Sequence, residues 1–187
     1  MSKAQTAKIS QKGLLLKIAG TSSAFLIIAI IVLAIISVES IEHSGQEAAK
    51  LMGRNKLMGD IASFEDNITR EYGRLSLVNG DLVDAQGNSL KNDFRVVDFV
   101  ALRLGVRVTI FMREGQEYRR ISTSIVNDAG ERVVDTFLDS SGTAYAAVHS
   151  GNDYFGDAVI LGRDYLGGYR PVFAQNSREI IGICLSV

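Results

Sequence analysis

Apolar side chains recur every three or four positions in the segment that follows residue 56. This spacing places them along one face of an α-helix. Because residues 39–77 contain no proline, the pattern predicts one long helix over that range, ended by the turn-rich segment 78–89. A stripe this narrow suits the seam of a coiled-coil dimer or a surface on which a sheet rests, and both can hold along different parts of the helix. The stripe consists of Leu57, Ile61, Phe64, Ile68, Tyr72 and Leu75.

The pattern changes in the second half of the chain. A short helix is predicted within "FRVVDFVALRLG", with Gly105 as its end. After it, five segments are rich in β-branched and aromatic residues, as strands are. They are "GVRVTIFM", "EYRRISTSI", "YFGDAVIL", "DYLGGYRPVF" and "IIGICLSV".

Two of these strands precede an insertion at 126–153 and three follow it. Within the insertion, residues 142–151 predict a short helix with Ser140 or Ser141 as its N-cap and Gly151 at its end. This order predicts an α+β fold in which residues 93–187 form a five-stranded antiparallel sheet of PAS-like type. We expect the long helix to cover one face of the sheet and the insertion to cover the other.

A membrane helix is predicted before the long helix. Residues 18–38 carry no charge, and a helix of this length spans about 30 Å, the thickness of a bilayer core. A signal peptide has a shorter apolar region, and a type IV pilin would carry a glutamate where Phe25 stands. The four lysines of residues 1–17 put the N-terminus in the cytoplasm by the positive-inside rule, and residues 39–187 outside.

The charge and the chemistry-bearing residues exclude several function classes. All 21 acidic residues lie from Glu39 onward, so the predicted outer part has no basic face for nucleic acid. His43 and His149 are the two histidines, and no cluster has the spacing of metal ligands. The single cysteine, Cys184, lies in an apolar run typical of a buried side chain. The sequence therefore predicts neither an enzyme nor a resident cofactor.

The strand "YRRISTSI" contains candidate ligand-binding groups. Strict alternation would place Arg120 and Ser122 on one face, and Thr123 on the other. Arginine offers a planar, permanently charged group that matches a carboxylate, and hydroxyls beside it can donate to the remaining oxygens. A solvated edge strand with two ordinary arginines is the alternative interpretation.

The strand "DYLGGYRPVF" has two glycines in its middle, which weaken a strand unless space is needed there. Tyr165, Gly167 and Tyr169 share one face, so the tyrosines can wall a gap above the glycine. Tyr145 and Tyr154, in and after the insertion, can close this gap from above. A strand that bends, and tyrosines that pack in the core, are the alternative interpretations.

The order of these segments, from "VRVTIFMREGQEYRRISTSI" to "EIIGICLSV", resembles the single-Cache sensor domains of bacterial chemoreceptors. The resemblance implies a periplasmic PAS-like module that binds a small molecule and signals through the membrane. Related citrate and dicarboxylate sensor kinases carry an arginine at the position of Arg120, a histidine at Thr123 and a second arginine at Gly167. With fewer cations here, a monocarboxylate or a neutral polar ligand fits better than a di- or tricarboxylate.

The resemblance implies a ligand-sensing region of a homodimeric receptor in the bacterial inner membrane, with dimer contacts along the long helix. In this hypothesis, a small organic acid is held by Arg120, Ser122 and Thr123 and surrounded by the tyrosines and Gly167. A chemoreceptor would continue beyond Val187 into a second span, so the chain is a fragment or a shortened product. Two alternatives stay open: the sensor region of a histidine kinase, and a membrane-anchored structural or interaction module without a small ligand.

Overall fold

The computed structural model describes residues 32–33 and 47–187. The predicted span at 18–38 therefore lies outside the described residues except for positions 32 and 33, and so does the start of the long helix at 39–46. Within the described part, no helix is both long and apolar enough to cross a membrane. The chain divides into two compact units, Met1–Lys50 and Leu51–Val187. The second unit contains the fold described below.

Helix α1 covers residues 47–72 of the described chain. The predicted apolar stripe is confirmed, because all six of its residues are buried. The predicted end at 77 is wrong. Gly73 adopts a left-handed conformation with φ 67°, and its N–H bonds the carbonyl of Thr69, which ends the helix there.

A small hairpin follows α1 where helix was expected. Strands β1 (Ser76–Val78) and β2 (Asp81–Val83) pair antiparallel. Asn79 and Gly80 both have positive φ, as a two-residue turn with the twist of a hairpin requires. The predicted helix within "FRVVDFVALRLG" is confirmed as α2 (Arg95–Leu104), with Gly105 as a left-handed C-cap.

The main sheet has five antiparallel strands, as predicted. They are β3 (Val108–Glu114), β4 (Glu117–Thr123), β5 (Tyr154–Ile160), β6 (Arg163–Phe173) and β7 (Ile180–Ser186). Their order across the sheet is β4-β3-β7-β6-β5. The two hairpins β3–β4 and β5–β6 are thus joined through β7, which pairs with a strand of each.

Each face of this sheet has its own core. On one face, residues of α1 and α2 pack against Val108, Ile110 and Cys184. On the other face, the insertion packs against Phe111 and Ile183. The prediction that the long helix and the insertion cover opposite faces is therefore confirmed.

The insertion contains helix α3 (Thr143–His149). Its N-cap is Gly142, not Ser140 or Ser141 as predicted. The hydroxyl of Ser141 donates instead to the carboxylate of Asp139 at 2.7 Å, so it does not reach the first turn of the helix. This turn matters below because Asp139 and Gly142 lie beside a cavity.

Asp84 organises the loop after β2. Its Oδ1 accepts hydrogen bonds from the backbone N–H groups of Gln86 and Asn88, and its Oδ2 accepts one from the Asn88 side chain at 2.9 Å. The bond from the Asn88 side chain is the largest cause that holds the pKa of Asp84 below its usual value. A carboxyl with a lowered folded-state pKa adds stability above its unfolded pKa of about 4, and this stability is lost as the pH falls through the folded value.

Asp84→Ala is therefore expected to lower the melting temperature at pH 7 and to make its fall between about pH 5 and pH 2 shallower than in the wild type. Thermal unfolding followed by circular dichroism across this range measures both effects. Asp81→Ala is the matched control, since the Asp81 carboxylate makes no hydrogen bond within residues 47–187. An acid dependence of Asp84→Ala as steep as that of the wild type would contradict the assignment.

Candidate ligand-binding cavity

A register shift in β4 decides which face of the sheet Arg120 occupies. Ile110 pairs with Ser122 and Phe111 pairs with Arg120, so the pairing shifts between Ile110 and Phe111. Ile121 is the extra residue of this bulge. Because paired residues share a face, Arg120 lies with Phe111 on the insertion face, and Ser122 lies with Ile110 on the face of α1 and α2.

The insertion runs along the free edge of β4 and covers Arg120. The backbone N–H of Arg120 donates to the carbonyl of Thr136 at 2.7 Å, and the carbonyl of Arg120 accepts from Asp135 at 2.8 Å. The N–H of Leu138 donates to the carbonyl of Tyr118 at 3.0 Å. These bonds hold residues 135–138 over the middle of β4, so Arg120 is only 7% exposed.

The guanidinium of Arg120 has no anionic partner among the described residues. Its Nε is buried without a hydrogen-bond partner, and its Cζ lies 5.1 Å from the centre of the Phe111 ring. Burial lowers the pKa of Arg120 to about 10, and the Tyr169 hydroxyl opposes this effect. At neutral pH the group stays protonated, so the protein holds a buried, unpaired positive charge.

Tyr169 brings a hydroxyl group to the same place. Its ring is buried at 3% exposure, and burial raises its pKa to about 12, although nearby Arg120 lowers it. The Tyr169 hydroxyl makes no hydrogen bond within residues 47–187. Arg120 and Tyr169 therefore offer unused donors to the same space.

This space is a cavity of about 400 Å³ between the insertion, β4, β5 and β6. Most of its wall is apolar, and Thr136, Thr143, Asp139 and Asp157 are polar contributors besides Arg120 and Tyr169. The hydroxyl of Thr136 donates to the carbonyl of Val133, and that of Thr143 donates to Tyr154. The apolar residues of the wall are Phe137, Leu138, Ala144, Ala158, Val159, Ile160 and Leu161.

Two of the eight predicted site residues, Arg120 and Tyr169, line this cavity. Ser122 was expected on the face of Arg120, but the bulge places it on the other face, where its hydroxyl donates to the carbonyl of Asp93. Thr123 was expected on the opposite face from Arg120. It lies on the same face, but its hydroxyl bonds that of Thr109 at 2.6 Å. Neither hydroxyl reaches the cavity.

The face shared by Tyr165, Gly167 and Tyr169 is confirmed by their pairing with β5. The expected gap above Gly167 is filled by protein. A Cβ placed on Gly167 would lie 3.0 Å from the Tyr169 ring and 3.3 Å from a methyl carbon of Val187. The hydroxyl of Tyr165 accepts a hydrogen bond from Arg107 at 3.1 Å, beside a different, smaller cavity.

Tyr145 and Tyr154 lie outside the cavity wall. Tyr145 stacks on His149, with ring centres 5.0 Å apart, and its hydroxyl donates to the carbonyl of Gln116. Tyr154 packs edge-on against Tyr169 at 5.9 Å and donates to the carbonyl of Asp157. Tyr154 therefore supports the ring that lines the cavity.

Sequence reasoning missed the wall that the insertion supplies, from Thr136 to Ala144. The motif "DSSGT" signals a turn. Nothing local shows that this turn lies over Arg120, since its position depends on the hydrogen bonds between the insertion and β4.

A larger groove of about 560 Å³ lies between α1 and the turn joining β6 to β7. Glu65 lines it and forms an ion pair with Arg170 at 2.8 Å. Three buried polar side-chain atoms of the described residues lack a partner, in Tyr72, Arg120 and Ser186. None of these residues lines the groove. The smaller cavity at Arg120 is therefore the better candidate site.

An antiparallel sheet with a helix on one face, and a cavity beneath an insertion on the other, is the architecture of a PAS-like domain. The family model for the Cache 3/Cache 2 fusion domain matches residues 39–185, and the chain belongs to this family. The resemblance to Cache sensor domains is thereby confirmed. Searches of curated proteins and of solved structures found no match. Cache domains are usually extracellular sensor domains, and they typically bind small-molecule ligands.

Proposed function

We propose that the protein is the extracytoplasmic ligand-sensing region of a transmembrane chemoreceptor and that its ligand is a small monocarboxylate. The observation that carries this proposal is the buried guanidinium of Arg120, which has no anionic partner among the described residues. Isolated buried charges are costly, and a charge retained in a cavity is typical of a binding site. A carboxylate supplies the missing partner.

The cavity wall supports a ligand with one negative group. Among the described residues, Arg120 is the sole Lys or Arg in the wall, and the hydroxyl of Tyr169 can donate to the same carboxylate. The remaining walls around Ala144, Ala158 and Ile160 are apolar. Ser122 and Thr123 do not take part in this proposed site, because their hydroxyls bond to other parts of the protein.

Strand β6 connects the proposed site to α1. Tyr169 faces the cavity, and the next residue, Arg170, faces the helix. Arg170 donates hydrogen bonds to Glu65 of α1 at 2.8 Å and to Asp153 after α3 at 2.9 Å. A ligand that changes how the insertion closes over Tyr169 can thus change the position of β6 against α1. The ligand can do so only if its affinity differs between the arrangement in which the insertion is closed over Tyr169 and the arrangement in which it is less closed.

The predicted span at 18–38 would anchor this helix in the bacterial inner membrane, with the cytoplasm on the N-terminal side. Exposed apolar residues on α1 support a homodimer along the helix, since large apolar side chains in water mark contact surfaces. They are Leu51, Met52 and Met58.

The proposal is tested by thermal-shift and calorimetric titration of the 187-residue chain with acetate, propionate, butyrate, pyruvate and lactate. Tyr169→Phe is expected to weaken the best of these ligands about tenfold, because a hydrogen bond to a charged group contributes about 1.5 kcal/mol. Tyr165→Phe is the control: its hydroxyl is on the same strand and face but bonds Arg107 outside the cavity. If none of the five acids stabilises the wild type, the interaction module without a small ligand becomes the better interpretation.

A further inference from the structure

Asp139 lines the same cavity at a solvent-exposed position. Its Oδ1 accepts two hydrogen bonds from Ser141, from the backbone at 2.9 Å and from the hydroxyl at 2.7 Å. Its Oδ2 accepts no hydrogen bond within residues 47–187, and it lies 3.8 Å from where a Cβ on Gly142 would stand. Gly142 also lines the cavity.

The Asp139 carboxylate forms no ion pair in the described part of the chain. The hydrogen bonds from Ser141 hold its pKa below the usual value, so it is ionised at neutral pH. The residues lining the cavity therefore include one buried cation, Arg120, and one exposed anion, Asp139, neither of which has an ionic partner in the described part of the chain.

The other acidic residue of the wall faces away. Asp157 pairs with Leu166, and Leu166 points toward α1, where it lies 2.7 Å from an ideal Cβ on Gly53. The side chain of Asp157 is thus on the face opposite the cavity, and its backbone forms the wall. Asp139 is the acidic side chain placed to act on a bound ligand.

Suppose that Arg120 binds one carboxylate of a dicarboxylate. The second carboxylate would then have no cationic partner among the described residues of the wall, and Asp139 lines the same cavity of about 400 Å³. Two negative charges repel each other even where water screens them, so the expected effect on dicarboxylate affinity is a loss of several-fold. A repulsive group of this kind gives specificity without adding affinity for the preferred ligand.

We infer that Asp139 is a specificity-determining residue that excludes dicarboxylates from the site anchored by Arg120. This inference rests on the proposed function and deepens it. A monocarboxylate bound to Arg120 places its uncharged end in the cavity and avoids the repulsion. A dicarboxylate of similar size meets it.

The experiment compares acids that differ by one added carboxylate: acetate with malonate, propionate with succinate, and butyrate with glutarate. Dissociation constants are measured by calorimetry for the 187-residue wild type, Asp139→Asn and Asp157→Asn. Asparagine at position 139 keeps an oxygen that can accept from Ser141, so the turn is preserved. Thermal unfolding of each variant checks that it is folded.

For each pair of acids that binds, the preference is the dissociation constant of the dicarboxylate divided by that of the monocarboxylate. In Asp139→Asn this ratio is expected to fall about three- to tenfold, mostly because the dicarboxylate binds more tightly. Asp157→Asn changes the net charge equally and should keep the wild-type preference. An unchanged preference in Asp139→Asn, or an equal fall in Asp157→Asn, would overturn the inference while the monocarboxylate site stands. If the wild type binds none of the six acids, the proposed function fails and the inference fails with it.

Discussion

Replacement of Arg120 by methionine is expected to raise the melting temperature of the ligand-free protein and to abolish carboxylate binding. Burial lowers the pKa of Arg120 from 12.5 to about 10, which corresponds to about 3 kcal/mol lost by the charged form on folding. Methionine fills a similar volume without the charge and keeps contact with Phe111. Replacing even a buried ion pair with apolar side chains is often neutral or stabilising by about 1–4 kcal/mol, and Arg120 has no partner whose attraction would be lost.

For a chain of this size, each kcal/mol of added stability raises the melting temperature by about 2–4 °C, so the rise lies between about 2 and 16 °C. The same variant should show no thermal shift with any monocarboxylate that stabilises the wild type. A bound ligand stabilises the folded state by mass action, so a variant that has lost Arg120 and no longer binds the ligand should also lose this stabilisation. The combination of a more stable apo protein and a lost ligand response distinguishes a binding residue from a structural one.

Arg119→Met is the matched control, because Arg119 is the neighbouring residue on the same strand but is already paired. It lies 2.6 Å from Glu114 and 3.5 Å from Asp135, and its guanidinium stacks 4.9 Å from the Phe137 ring. This variant should lose a little stability and keep ligand affinity. A lower melting temperature in Arg120→Met together with full affinity would contradict the anchor role.

Gly182→Ala is expected to destabilise the fold by about 3 kcal/mol, or to prevent folding altogether. A Cβ on Gly182 would lie 2.5 Å from the carbonyl oxygen of Phe111. That oxygen belongs to the backbone of β3, which is paired with β7 at this point through Met112 and Gly182. Relief of the clash requires β3 and β7 to separate. Because β7 is the central strand of the sheet and β3 is its neighbour, this separation disrupts the sheet in its interior.

Urea unfolding followed by circular dichroism measures the loss. Gly59→Ala serves as the control, since the position is within α1 and no atom beyond the adjoining residues and the helix's own backbone lies within 4 Å of the added Cβ. There the change should stabilise the protein by up to about 1 kcal/mol, because alanine favours a helix over glycine. A wild-type stability in Gly182→Ala would refute the close approach of β3 and β7.

The helical stripe and the strands could be predicted because each depends on local periodicity. The stripe from Leu57 to Leu75 is buried throughout, and Tyr165, Gly167 and Tyr169 share the face that alternation assigns them. The predicted end of α1, residue 77, lies beyond the actual end at residue 72. The apolar spacing continues to Leu75, although Gly73 has already ended the helix. A left-handed glycine leaves no trace in hydrophobic periodicity.

The candidate site was predicted in part. Arg120 and Tyr169 were predicted correctly, because the chemistry of a buried-strand arginine and tyrosine can be recognised without knowing how the two strands are arranged. Ser122 was placed beside Arg120 in error, because the bulge at Ile121 reverses the alternation after it. Whether a strand contains a bulge depends on its partner strand, and the sequence of β4 alone does not show it.

The sequence by itself determined that this protein is an α+β sensor-like chain with a helix-covered sheet, and that β4 and β6 carry its candidate binding groups. Only the tertiary structure decided that Arg120 is buried without a partner, and that Tyr169 rather than a gap occupies the space over Gly167. It also brought Asp139 to the cavity. The physical reason is that helix and strand faces follow from spacing along the chain, whereas burial, charge pairing and cavity walls follow from hydrogen bonds between segments distant in sequence.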